Sequence, residues 1–239
     1  RRFATEGHQQ VVYENYSSDF EFFAKYQMHE MFNRYFAWNY IGRESFIEKA
    51  EVDFSKLYAI PFLVGLFGIY FHFRKDWKMA SAFMVMFILL GYLTAFYQNQ
   101  QEPQPRERDY FYVGAFFIFS IWIALGIRGI INTVSENEQY KSYLKPWAFA
   151  VILLGIVFIP VRMYSVNHFE QDRSRNYVAW DYAYNLLQSV APNAVLFTNG
   201  DNDTFPLWYL QDVEGVRRDV RVANLSLLNT NWYIKQLKN

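Results

Sequence analysis

The chain has 239 residues, with 23 Lys+Arg balanced by 23 Asp+Glu and no Cys. Balanced charge removes the basic surface by which a nucleic-acid binder displaces counterions from phosphates, and the lack of Cys excludes disulfides, Cys-ligated zinc and a thiol nucleophile. Aromatic residues reach 21% of the chain, which excludes intrinsic disorder. The first residue is Arg1 and no apolar signal-peptide core follows it. The sequence therefore reads as an internal piece of a longer protein. Residues 1–56 read as an extracytoplasmic or interfacial helical segment. Within it, Phe20 to Tyr40 has helical periodicity. Glu21, Lys25, His29 and Asn33 recur every four residues along one face, and Phe20, Phe23, Met31, Tyr35 and Trp38 gather on the other. Such a helix suits either the headgroup boundary of a bilayer or the surface of an outer domain. The four His (His8, His29, His72, His168) are scattered and show no metal-ligand spacing.

Residues 57–164 read as a transmembrane domain. Four stretches there contain no charged residue: Leu57–Phe73, Met79–Tyr97, Tyr110–Ile127 and Pro146–Val161. As helices they reach about 24–29 Å, near the ~30 Å hydrocarbon core. Four such stretches, joined by short polar turns, predict four transmembrane helices. Tyr58, Tyr70, Trp77, Tyr92, Tyr97, Tyr110, Tyr112 and Trp147 lie near the span ends, where amphipathic rings prefer to sit. The loops 74–78 and 128–145 carry three Lys/Arg each, and the opposite loop 98–109 carries two. Adding the flanks (Arg43, Lys49, Lys56, Arg162, Arg173 and Arg175) reverses the count to six against eight; with the short loops weighted more, the positive-inside rule places the first two loops in the cytoplasm and both flanks and the 98–109 loop outside. The absence of Asp, Glu, Lys and Arg within the spans argues against an ion-coupled transporter.

The loop before the third span reads QPRERDY (Gln104–Tyr110). Pro103 and Pro105 stiffen it. Arg106 and Arg108, at headgroup level, can grip a phosphate or pyrophosphate through charge-assisted hydrogen bonds. Glu107 and Asp109 can orient those guanidinium groups or bind a cation. The same four residues also read as a local ion-pair cluster ending a helix.

Residues 165–239 read as the start of a soluble extracytoplasmic α/β domain. Trp180–Val190 is a helical run. Asn193–Thr198 has the pattern of a buried strand, Asn199–Thr204 (NGDNDT) of a turn, Phe205–Val213 of a helix with Pro206 in its first turn, and Val220–Ser226 of a second strand. Strand, helix and strand at this spacing predict a right-handed parallel unit. Ligands of open α/β sheets sit beyond the carboxyl ends of strands, where Asp201 and Asp203 could hold a divalent cation or sugar hydroxyls. Thr204 could cap the following helix. Equally, Asp, Asn and Gly could be there to make the turn. The fold class expected is thus an α-helical polytopic membrane protein with four transmembrane helices, followed by the start of a soluble α/β domain.

Three longer stretches, YQMHEMFNRYFAWNYIGR (Tyr26–Arg43), QPRERDYFYVGAFFIFSIWIALG (Gln104–Gly126) and PNAVLFTNGDNDTFPLWYLQDVEGVRRDVRVANLSLLNTNWYI (Pro192–Ile234), resemble a bacterial family of large multi-spanning membrane proteins of unknown function. That family is related to the eukaryotic transmembrane protein O-mannosyltransferases. The resemblance implies a GT-C glycosyltransferase in the bacterial inner (cytoplasmic) membrane. It would transfer a sugar such as mannose from a polyprenyl-phosphate donor to protein Ser/Thr. The implied partners are membrane lipid, a lipid-linked sugar and a protein acceptor, without nucleic acid. The catalytic acid of such enzymes lies in the first extracytoplasmic loop, after which this chain is expected to begin, so no residue here inherits that role and the piece is expected to be inactive alone. The alternative is a non-catalytic membrane anchor or assembly protein that presents an extracytoplasmic domain.

Overall fold

The computed structural model describes residues 15–45, 50–100, 102, 106–136 and 138–238. His8, Pro103 and Pro105 lie outside the described residues. Two compact units are present, Arg1–Gln171 and Asp172–Asn239.

The first unit opens with helix α1, residues 19–40. Ser18 caps it, its hydroxyl accepting from the Glu21 N–H at 3.1 Å, while the Glu21 carboxylate accepts from the Ser17 N–H at 2.7 Å. Of its polar stripe, Lys25 and His29 are exposed, while Asn33 turns inward and its Oδ1 accepts from the Tyr92 hydroxyl at 2.8 Å. Its buried side is Tyr26, Gln27, Met31, Phe32, Tyr35, Trp38 and Tyr40. This side packs on the long helices of its own unit, and Phe20 is exposed. The Phe32 ring meets Tyr92 at 4.5 Å and Tyr112 at 5.4 Å, and Phe36 meets Phe119 at 4.7 Å. Space for Phe32 exists because residue 91 is glycine: a Cβ there would lie 2.5 Å from the ring.

A short helix α2 (Phe54–Leu57), capped by Asp53, leads to α3 (Ile60–Lys75). Between them Tyr58 and Ala59 hold left-handed backbone angles, φ 54° and 52°. Asp76 alone joins α3 to α4 (Trp77–Gln98), its carboxylate accepting from the Met79 N–H at 3.1 Å. Helices α5 (Asp109–Ser135) and α6 (Gln139–Gln171) complete the unit. Pro160 lacks the N–H that would continue the ladder of α6, and the helix widens to i→i+5 bonding at Val157–Val161.

Helices α3 and α5 run parallel and in close contact. Gly65 faces Phe119, and a Cβ on Gly68 would stand 1.7 Å from the Trp122 carbonyl oxygen. A Cβ on Gly126 would stand 2.1 Å from that of Val64. Small residues that admit a neighbouring backbone are the usual means of packing helices in lipid, where apolar burial gives no drive. At one end Lys75 pairs with Glu136 at 2.5 Å. At the other, Arg162 Nε donates to the Lys56 carbonyl at 2.8 Å.

Three helices, α4, α5 and α6, are long and apolar enough to cross a membrane. Much of their apolar surface is outward: Phe149 is 70% exposed and Leu154 55%. Exposure on that scale suits lipid, not water. The first predicted span differs. The left-handed turn at Tyr58 and Ala59 cuts it, leaving α3 with 16 residues, fewer than the ~20 a bilayer needs.

In the second unit, helix α7 (Val178–Gln188) precedes strand β1 (Val195–Thr198), helix α8 (Asp201–Asp212), strand β2 (Arg221–Asn224) and helix α9 (Asn231–Lys238). The strands pair in parallel, Val195 opposite Arg221 through Thr198 opposite Asn224, as the strand–helix–strand pattern predicts. Ala183, Leu187, Leu207, Leu210, Val220 and Val222 form the core. The Tyr233 hydroxyl closes the outer edge of β2, accepting from the Asn224 N–H at 2.9 Å and donating to the Val222 carbonyl at 3.2 Å. Helix α8 begins four residues before the expected Phe205, which puts Pro206 inside the helix.

Candidate functional site

The charged loop before α5 is built onto α1. Arg34 grips both oxygens of Glu107, Nη1 to Oε1 at 3.0 Å and Nη2 to Oε2 at 2.9 Å. The two side chains are only 12% and 18% exposed. The Tyr35 hydroxyl donates to Glu107 Oε2 at 2.5 Å and accepts from the Arg108 backbone N–H at 3.3 Å. Arg34 also pairs with Glu30 at 3.2 Å and lies over the rings of Tyr35 and Trp38, 4.8 and 4.5 Å from their centroids. Arg43 covers the Trp38 ring at 3.8 Å, and the Trp38 indole N–H donates to the Ala50 carbonyl at 3.1 Å.

Burial sets the electrostatics. The Tyr35 phenol is pushed well above its ordinary pKa, first by burial and then by its bond to Glu107, so it stays protonated and donates. Burial lowers the Arg43 pKa, while the charges of Glu107 and Asp109 oppose the shift.

The four loop residues have different surroundings. Arg106 is exposed. Glu107, expected to orient Arg106 or Arg108, is held by Arg34 and Tyr35, because α1 brings a bidentate cation to it. Arg108 is half-buried, and its Nε is buried without a hydrogen-bond partner among the described residues. Asp109 is half-buried at the first position of α5, within reach of the Arg43 charge. The fully buried Tyr112 follows one turn later. Its ring lies 5.9 Å from that of Tyr35, and its hydroxyl also has no partner among the described residues.

Arg34, Tyr35, Trp38 and Arg43 were not singled out for chemistry by the sequence. The available signal was the cation–aromatic spacing inside NRYFAWNYIGR, where residues 34 and 38 share a helix face. Nothing local in that stretch names Glu107, 73 residues later, as the partner.

The second candidate cluster is structural in its contacts. The Asp203 carboxylate turns back to accept from the N–H groups of Asn199 at 3.1 Å and Gly200 at 3.4 Å, capping α8. Asp201 is exposed and accepts from the Asn202 N–H at 3.0 Å. Thr204, expected as the cap, is fully buried. Its hydroxyl donates to the Gly200 carbonyl at 2.5 Å, meets the Thr198 hydroxyl at 2.7 Å and accepts from Asn224 Nδ2 at 2.7 Å. Among the described residues no group of three or more His, Asp or Glu side chains could hold a metal ion.

Residues 179–239 match the family model described as TMEM260-associated domain 2. The chain is 31% identical over 171 residues to the protein O-mannosyl-transferase TMEM260 of Mus musculus, an alignment covering 69% of this chain and 24% of that protein. The chain thus spans about a quarter of the length of this curated relative. No solved structure matches the chain.

Proposed function

From the chain's relation to the eukaryotic transmembrane protein O-mannosyltransferases, we propose that the full-length protein is a membrane glycosyltransferase. It moves a sugar such as mannose from a polyprenyl-phosphate donor to a Ser or Thr hydroxyl of a protein. The acceptor oxygen attacks the anomeric carbon, and the bond from that carbon to the phosphate oxygen breaks. An acidic residue outside this chain takes the hydroxyl proton, and the lipid phosphate leaves with the bonding electrons. In this reading Arg108, with Arg106 at the exposed side, stabilises the charge that grows on the departing phosphate. The observation that carries it is Arg108 itself: a half-buried guanidinium at the start of a membrane-length helix, with Nε left without a partner among the described residues. A buried donor left unpaired costs free energy, and an incoming phosphate oxygen would recover that cost.

The reading also takes α3 as a fourth span. Its two ends support this, since Lys75 reaches the end of α5 while Arg162, within α6, reaches the residues before α3. Packed through Gly65 and Gly68 on one side, α3 leaves Leu63, Leu66 and Tyr70 exposed as a surface for lipid, and the interfacial residues around it can make up the missing length. By the charge of the short loops, the Arg108 end and the second unit face away from the cytoplasm, in a bacterial inner membrane.

Binding of polyprenyl phosphate to the full-length protein in nanodiscs tests the reading. Arg108→Gln should weaken it about tenfold, as for loss of a charge-assisted contact, and Arg106→Gln should weaken it less. Unchanged binding in the double variant would contradict the phosphate assignment.

A further inference from the structure

The segment 106–108 precedes α5 without helix or strand of its own, so something else must fix where the Arg108 side chain starts. The Arg108 carbonyl accepts from the Phe111 N–H at 3.3 Å in the first turn of α5, and the Arg108 backbone N–H is tied across to α1, donating to the Tyr35 hydroxyl at 3.3 Å. That hydroxyl is itself held by packing and by a hydrogen bond. Tyr35 is fully buried, its ring 5.3 Å from Trp38 and 5.9 Å from Tyr112. Its proton points one way, to Glu107 Oε2 at 2.5 Å, and Glu107 is locked by both terminal nitrogens of Arg34. Three donors on adjacent residues of α1 thus meet the carboxylate next to Arg108, across more than 70 positions of sequence. A surface ion pair of this size would be a weak device. This one is largely buried, bidentate and shared with a phenol, and such networks specify geometry when every member is satisfied.

We infer that Tyr35 is the positioning residue for Arg108, with Glu107 and Arg34 as its support, so that α1 sets the place at which the lipid phosphate is held. The inference rests on the phosphate-binding reading of Arg108 given above. Tyr35 touches no substrate in this scheme. It acts by holding the backbone from which the guanidinium projects, and it lets a change in α1 reach the phosphate without a contact to it.

The test is a double-mutant cycle on the full-length protein in nanodiscs, with polyprenyl phosphate as the probe. Tyr35→Phe removes one oxygen and keeps the ring in its packing. It should raise the Kd about fivefold, the value of one lost hydrogen bond. Combined with Arg108→Gln it should add little beyond Arg108→Gln alone, because both act on the same contact. Glu107→Gln, which keeps the shape and removes the charge, should fall between Tyr35→Phe and wild type. A thermal-unfolding midpoint recorded for each variant separates folding from binding. If Arg108→Gln weakens binding while Tyr35→Phe and Glu107→Gln match wild type, the positioning role is overturned and the phosphate reading stands. Fully additive effects of Tyr35→Phe and Arg108→Gln would also overturn it. If Arg108→Gln leaves the Kd unchanged, the phosphate reading fails and the positioning role fails with it.

Discussion

Arg34 makes the ion pair whose loss should be felt most. Replacing it with Met would leave the Glu107 carboxylate, 18% exposed, without its bidentate cation. Breaking a buried pair from one side costs about 3–5 kcal/mol; with this residual exposure the lower end is expected, read as a fall in the thermal midpoint in detergent. In the second unit, Thr204→Val keeps the volume but removes the hydroxyl that Asn224, Thr198 and the Gly200 carbonyl share. The partners stay buried, so a loss of about 1–3 kcal/mol is expected in denaturant unfolding. Asp219 gives a pH signature. Its carboxylate accepts from Arg217 Nε at 2.8 Å and from the Asn193 N–H at 2.9 Å, tying together two residues with left-handed backbone, φ 48° and 57°. The Arg217 bonds, then the Asn193 N–H, hold its pKa well below the ordinary carboxylate range. A folded-state pKa below the unfolded one contributes stability that is complete above about pH 4 and is lost as pH falls below it. Amide exchange in β1 and β2 should therefore be flat from pH 8 to 5, after correction for intrinsic rates, and rise below pH 4. Asp219→Asn should be less protected at pH 7 and should lack that part of the acid response.

Among the elements, the contact between α3 and α5 is the one most sensitive to a single atom. A Cβ on Gly68 meets the Trp122 carbonyl oxygen, which is backbone and cannot swing away. Gly68→Ala should separate the two helices and cost about 1–3 kcal/mol, as overpacking does. Gly114→Ala is the control. There a Cβ would meet only the Leu90 side chain, its nearest atom the terminal Cδ1 at 3.1 Å, and the thermal midpoint should stay close to wild type. These elements also mark how far the sequence could be read. Charge-free runs placed α4, α5 and α6, because lipid imposes one composition over a whole helix. The parallel strands were visible as short apolar runs between turn residues. The start of α8 was not, since Asn-Gly-Asp-Asn-Asp-Thr is turn chemistry until Asp203 is known to reach back and cap. The break at Tyr58 and Ala59 was hidden for a similar reason. Neither residue favours left-handed backbone, so their conformation comes from the surrounding packing. The site divides the same way. Arg108 and Glu107 were legible as chemistry, but their partners come from α1, and only the folded chain joins positions 34 and 107.

At the scale of the whole molecule, the arrangement of α3 to α6 makes a prediction about sides. The absence of native Cys allows single-Cys variants to report without background. Ser55→Cys and Ser174→Cys should react with an impermeant thiol reagent from one side of a sealed vesicle. Lys78→Cys and Tyr140→Cys should react from the other. Labelling of residues 55 and 78 from the same side would remove α3 from the membrane and leave three spans. Sugar transfer by the full-length protein is the measurement that decides the chemistry. The purified protein is given radiolabelled polyprenyl-phosphate mannose and a Ser/Thr-rich polypeptide, and the label on the polypeptide is counted. Protein-dependent label is expected, falling sharply in Arg108→Gln. No label on the acceptor, with other polyprenyl-phosphate sugars equally silent, would contradict the transferase reading and leave a membrane protein that presents its α/β unit without transferring sugar.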